Sequence, residues 1–97
     1  MNNKIIPNLK IVYQGDEINK LGFKWADKEI GKRSKIGGTP EYIQSEHIPN
    51  CKCCNSRMTF YAQLDSLSDE VCFADCGMIY IFICFDCFEI ESFIQSG

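Results

Sequence analysis

A mostly β fold is what this sequence predicts: a small sheet with an inserted ribbon closed at one end by two cysteine knuckles. Three observations carry that expectation. Two Cys-x-x-Cys pairs, Cys51/Cys54 and Cys84/Cys87, are separated by the 29 residues 55–83. Between them, Arg57 to Asp65 alternates apolar and polar side chains, and Met78 to Phe85 is apolar at almost every position, the two patterns expected of strands. The chain has 97 residues, one domain by size, in the range where a small core is often supplemented by a metal or disulfide staple. The whole of 1–97 is therefore read as a single stapled β domain, with 36–95 as its ribbon part.

The elements follow in order. Leu9 to Gln14 alternates Leu9, Ile11 and Tyr13 against Lys10, Val12 and Gln14, which suits an early strand, and Gly15-Asp16 supplies a turn after it. Leu21, Phe23 and Trp25 alternate as in a short strand, and Lys28 to Lys35 is polar enough for a loop. Gly37-Gly38-Thr39-Pro40 predicts a tight turn, because glycine permits backbone angles closed to other residues and proline fixes the next one. Tyr42-Ile43-Gln44 reads as a short extended piece leading through Pro49 to the first cysteine pair. Arg57 to Asp65 follows as a half-buried strand, placing Met58, Phe60, Ala62 and Leu64 on one face and Thr59, Tyr61, Gln63 and Asp65 on the other. Ser66 to Gly77 is a loop rich in Ser and Asp. Met78 to Phe85 reads as a central strand covered on both sides, and Phe88 to Gln95 completes a hairpin whose turn is the second knuckle.

A thiolate pair at i and i+3 of a tight turn directs both sulfurs to one point about 2.3 Å from each, and two such turns complete a tetrahedron. Cys51, Cys54, Cys84 and Cys87 are thus the candidate metal ligands, and structural Zn2+ is the favoured occupant. Iron in a rubredoxin-like electron carrier, thiol redox catalysis and simple core packing are the competing readings. Asn55, just after Cys54, suits the left-handed backbone that a knuckle often needs there; Phe88, just after Cys87, does not, so the second knuckle is expected to differ in detail. Structural zinc contributes about 10–16 kcal/mol in peptide systems, comparable to the roughly 5–15 kcal/mol that holds a domain folded. Loss of the metal should therefore unfold at least half of the chain.

Three cysteines are left over. Ribbon strands of about 25 Å, at about 3.3 Å per residue, keep Cys72 and Cys76 at the far end, where packing is the expected role. Cys53 can in principle replace Cys51 or Cys54 as a ligand, but the matched spacing disfavours it and an exposed position is expected. His47, the single histidine, is read as a surface loop residue rather than a fifth ligand. Trp25, Phe60, Tyr61, Tyr80, Phe82, Phe85, Phe88 and Phe93 are read as core.

No serine, aspartate or glutamate falls into a nucleophile or acid/base arrangement, and a closed four-thiolate site leaves no coordination position for a substrate, so a non-enzymatic protein is expected. The net charge of −3 conceals an asymmetry. Residues 1–50 carry eight basic and six acidic side chains, whereas 51–97 carry two and seven. Only Lys28, Lys32, Arg33 and Lys35 approach a basic patch, which makes a nucleic-acid-binding zinc ribbon the second reading and a protein partner, basic where this chain is acidic, the first. Asp65, Asp69, Glu70, Asp75, Glu89 and Glu91 are the candidate contact charges. The first twelve residues contain no apolar run of signal-peptide length, and Met78 to Phe85 is far shorter than the roughly 18 residues of a membrane span. A cytoplasmic location is expected, where a reducing environment favours metal ligation by the seven cysteines over disulfides.

From Ile36 onward, the order of KIGGTPEYIQ, P-x-C-x-x-C at Pro49 to Cys54, MTFYAQLDS and GMIYIFICFDC resembles the YwqG-like bacterial proteins. More distantly it is similar to the amino-terminal part of eukaryotic programmed cell death protein 2. The resemblance implies a mostly β fold in which the Gly-Gly-x-Pro turn introduces the zinc ribbon. It also implies a role in holding other proteins, as a chaperone-like, adaptor or immunity protein.

Overall fold

The computed structural model describes residues 5–11, 32–68, 71–72 and 76–96, and the fold is mostly β as predicted. Five strands form one sheet in the order of the chain: β1 (Leu9–Lys10), β2 (Lys35–Ile36), β3 (Thr59–Asp65), β4 (Met78–Ile83) and β5 (Ile90–Gln95). All pairings are antiparallel. There is no helix among the described residues, hence none long and apolar enough to cross a membrane.

The early strand is confirmed only at Leu9–Lys10: Ile11 falls outside it, and the rest of that prediction from Val12 on, with the turn at Gly15 and the alternation around Trp25, lies outside the described residues. Lys35 is not in a loop. It pairs with Gln63, as Ile36 does with Ala62, and a two-residue strand is too short to leave a periodic signal. The glycine turn directly after it is as expected. Gly37 and Gly38 have φ of 73° and 69°, and their N–H groups donate to Tyr61 O at 2.7 Å and Ile6 O at 3.0 Å. A Cβ on Gly37 would run into the carbonyl oxygen of Pro7, so two separate constraints require glycine there.

The faces of β3 differ from the simple alternation. Phe60 pairs with Phe82 and Ala62 with Ile81, leaving Tyr61 as an extra residue, a β-bulge that reverses the phase of everything after it. Phe60, Gln63 and Asp65 therefore share the face of Phe82, Tyr80 and Met78, while Leu64 is turned out to 40% exposure. Ala62 is still buried, on the opposite face between Ile36 and Ile81. On β4, Met78, Tyr80 and Phe82 are buried whereas Ile79, Ile81 and Ile83 are half-buried. The strand is central, as predicted, but only one of its faces is fully covered by the described residues.

The covered face is closed by an aromatic core and by a strap. Phe60 and Phe82 meet edge to face at 5.6 Å, Phe82 stacks on Phe93 at 5.8 Å, and Tyr42 stacks on Tyr80 at 5.3 Å. Burying rings the size of Tyr80 and Phe82 contributes about 1.5–3 kcal/mol each. Tyr42-Ile43-Gln44, expected as a short extended piece, forms no strand; residues 41–45 cross over this face, held by one side chain from each long strand. Gln63 Oε1 accepts from Glu41 N (2.9 Å), Tyr80 Oη accepts from Ile43 N (3.1 Å) and Gln95 Oε1 accepts from Gln44 N (2.9 Å). The same three side chains donate in turn, Gln63 Nε2 to Arg33 O, Tyr80 Oη to Glu41 O and Gln95 Nε2 to Ser45 O, all at 2.7 Å. Backbone that would be unpaired beneath a loop is thereby satisfied without a sheet ladder.

Candidate metal centre

The register of β3 with β4 places the cysteines. Thr59 pairs with Ile83, so the knuckle that precedes β3 and the knuckle that follows β4 arrive at the same end of the sheet. Each knuckle is a five-residue turn of the same design. Asn55 N donates to Cys51 O at 2.8 Å and Phe88 N donates to Cys84 O at 2.7 Å. Cys51 N closes on Ser56 O at 2.7 Å, as Cys84 N does on Glu89 O at 2.9 Å. Asn55 has φ of 62° and Phe88 has φ of 60°. The expectation that the second knuckle would differ is therefore wrong: the turn imposes the left-handed backbone on phenylalanine despite its steric cost.

The sulfurs of Cys51, Cys54, Cys84 and Cys87 all lie within 4.8 Å of one another. Cys54 Sγ and Cys84 Sγ are 3.6 Å apart, close to the roughly 3.8 Å edge of a tetrahedron with metal–sulfur bonds of about 2.3 Å. Cys51 and Cys84 are buried, Cys87 is half-buried and Cys54 is exposed. This set can hold a metal ion, and it makes the chain a metal-binding module.

The thiols are unequal. Hydrogen bonding from the Ser56 side chain, 3.3 Å from Cys54 Sγ, and from the Ser56 backbone brings the Cys54 thiol down to about 6. The Cys87 thiol is pushed up, first by Cys53 and then by Cys54. At Cys84, the backbone hydrogen bond from Cys87 pulls the thiol down but is outweighed by burial and by the neighbouring Cys54 and Cys51 sulfurs. Neighbouring sulfurs thus oppose ionisation at Cys84 and Cys87, and a divalent cation among the four would offset that by neutralising the thiolates.

Other candidates fall elsewhere. Cys76 is buried and so fits the packing role, whereas Cys72 is exposed and does not; the Cys76 N–H lies 3.4 Å from Cys72 Sγ. His47 is exposed, outside the cysteine cluster, with its ring edge on Phe93 at 5.1 Å. Phe60, Tyr80 and Phe82 are core residues as expected, but Tyr61 and Phe88 are exposed, Tyr61 because the bulge turns it outward and Phe88 because it occupies the knuckle. Trp25 lies outside the described residues.

Asp65 is no contact charge. The bulge turns it inward, where its carboxylate accepts from Arg33 Nη2 (2.6 Å), Nε (2.9 Å) and the Arg33 backbone N–H (3.0 Å). Arg33 Nη2 also donates to Cys76 O at 3.0 Å. The hydrogen bonding to Asp65 is the main reason the Arg33 guanidinium is raised above its ordinary range. Glu91 lies 3.8 Å from Lys52, Glu89 is exposed, and Asp69, Glu70 and Asp75 lie outside the described residues. Of the basic group, Arg33 faces Asp65 and Lys35 faces Glu41 at 3.5 Å; Lys32 is exposed and Lys28 is outside the described residues.

A 56-residue segment covering 56% of this chain is 39% identical to the uncharacterized protein YpfL of Salmonella typhimurium strain LT2. The match covers 13% of that protein's length, so the chain corresponds to a small part of it. No family model matches the chain, and no solved structure does.

Proposed function

We propose that this chain is a non-enzymatic, zinc-stapled protein-binding module, of the adaptor, immunity or chaperone-like kind that a resemblance to the YwqG-like proteins implies. The observation that carries the reading is the closed set of four sulfurs in two matched knuckles. All four tetrahedral positions are supplied by the chain, which suits a staple. Zinc is favoured over iron by its prevalence in knuckle-built ribbon sites, and when bound it would supply charge neutralisation and cross-linking of the two turns. Partner binding is supported by the second knuckle and the strand it leads into, where exposed Phe88 and Ile90 flank the exposed Glu89 and Ile94 is exposed further along β5, in a half of the chain with seven acidic and two basic residues. That combination fits a protein surface with apolar and basic side chains. Engagement of Arg33 and Lys35 with carboxylates speaks against a nucleic-acid interface.

Elemental analysis of purified chain tests the staple, with one zinc per chain and a colourless solution expected. Iron, or no metal, would refute it. Cys54→Ser and Cys87→Ser should each abolish soluble folding. A photo-crosslinker replacing Ile90 in cells tests the interface: it should capture a protein whose capture is lost on Glu89→Lys, and capture of nucleic acid instead would overturn the reading.

A further inference from the structure

We propose that the chain pairs with a second copy of itself along β5, edge to edge and antiparallel about Ser92, so that two sheets become one.

The sheet of described strands has two edges, and they are not alike. β1 is two residues long and ends in Lys10, features that discourage strand addition. β5 pairs with β4 at every position from Ile90 to Gln95 without a register shift and contains neither proline nor lysine. Its single charged residue, Glu91, lies 3.8 Å from Lys52. A regular, unblunted edge of this kind is a template for another strand.

The hydrogen-bonding side of each residue follows from both ends of β4. Cys84 N donates to Glu89 O at 2.9 Å, and Ser66 N donates to Gly77 O at 3.2 Å. Backbone groups alternate sides along a strand, so Met78, Tyr80 and Phe82 direct theirs to β5 and meet those of Gln95, Phe93 and Glu91. Ile90, Ser92 and Ile94 therefore turn their N–H and C=O groups away from β4, where no partner stands among the described residues. Their side chains are exposed as well.

The outward series Ile90, Ser92, Ile94 reads the same in both directions, and that symmetry selects a second copy as the occupant. In a two-fold antiparallel pair centred on Ser92, Ile90 faces Ile94 of the second copy and Ser92 faces Ser92, so every outward donor and acceptor is satisfied at once. A slip by two residues strands Ile90 or Ile94 in both copies. Charge agrees with the native register. Glu91 stands opposite Phe93 and Glu89 opposite Gln95, so no carboxylate faces another. The isoleucine side chains stay on the sheet face, beside Ile83 and Ile79, and pairing joins two aliphatic faces without hiding them. The protein-binding surface proposed above is thereby doubled, not consumed.

Sedimentation equilibrium of the full-length, metal-loaded chain under reducing conditions, over a concentration series, tests the proposal. The native chain should pass from its monomer mass of 11.1 kDa to twice that value as concentration rises. Ser92→Pro removes an outward N–H and no bond to β4, so it should keep the native circular dichroism spectrum and remain a monomer. Ser92→Lys and Ser92→Glu each set like charges against one another at the two-fold axis and should weaken the dimer roughly tenfold or more. An equimolar mixture of the two should dimerise at least as tightly as the native chain. Both are exposed surface changes, so they decide the matter even if the proline variant fails to fold. A native chain that stays monomeric would overturn the proposal and leave this edge to a strand of another protein. A dimer that all three variants retain, or a mixture no tighter than its components, would overturn it too.

Discussion

The Arg33–Asp65 pair offers an asymmetric perturbation. The Asp65 side chain is fully buried (0% exposed) whereas that of Arg33 retains 23% exposure, so the two partners do not fare equally when left alone. Arg33→Met removes two charge-assisted hydrogen bonds, at 2.6 and 2.9 Å, from this buried carboxylate and keeps the bond from the residue 33 backbone N–H. At about 1.5–3 kcal/mol for each bond to a charged group, a loss of roughly 3–4 kcal/mol is expected, because the charge that loses them is buried. In Asp65→Asn the guanidinium keeps its bond to Cys76 O and its access to water, so a loss of about 1–2 kcal/mol is expected. For a chain of this size the difference corresponds to a melting-temperature gap of about 8 °C or more. Circular dichroism melts of both metal-loaded variants at pH 7 measure it. If Asp65→Asn is the more damaging change, the reasoning fails.

Phe88→Gly should raise stability by about 1 kcal/mol, since it removes a left-handed phenylalanine whose ring is 70% exposed; chemical denaturation compared with Phe88→Ala isolates the backbone contribution. Gly37→Ala should cost about 3 kcal/mol or more, through both its positive φ and the clash with Pro7 O, and a well-folded, native-like alanine variant would contradict that account. Burial raises the Tyr80 and Tyr42 hydroxyls above their ordinary value of 10.0. Because the folded values lie above the unfolded ones, the associated stability is present below pH 10 and lost as pH rises through the folded values. Phenolate absorbance should therefore appear at higher pH than in the denatured chain and coincide with unfolding.

The metal centre was the most legible part of this chain. Spacing within each pair and 29 residues between them set the ligands, and the register of Thr59 with Ile83 delivers them to one end. What could not be read was the side of β3 on which each residue falls beyond Phe60. A bulge is one inserted residue with no compositional mark, and Tyr61 looks like any other strand residue. Its effect reaches far beyond its size: Leu64 moves from core to surface and Asp65 from surface to core, which removes one of the proposed contact charges. The second knuckle shows the opposite limit, in which local preference predicted a difference at Phe88 and the closed turn overruled it. Lys35–Ile36 went unseen because strands of two residues are defined by their partners, not by their own pattern.

The strap over the aromatic core touches the sheet through Gln63, Tyr80 and Gln95, one residue from each of three strands, at separations of 22, 37 and 51 positions along the chain. A slip of a single residue in any strand would swing its anchor to the opposite face and leave a strap amide without an acceptor. Only a correctly aligned sheet therefore presents all three acceptors to the strap. The strap's hydrogen bonds thus discriminate between the native alignment and a slipped one.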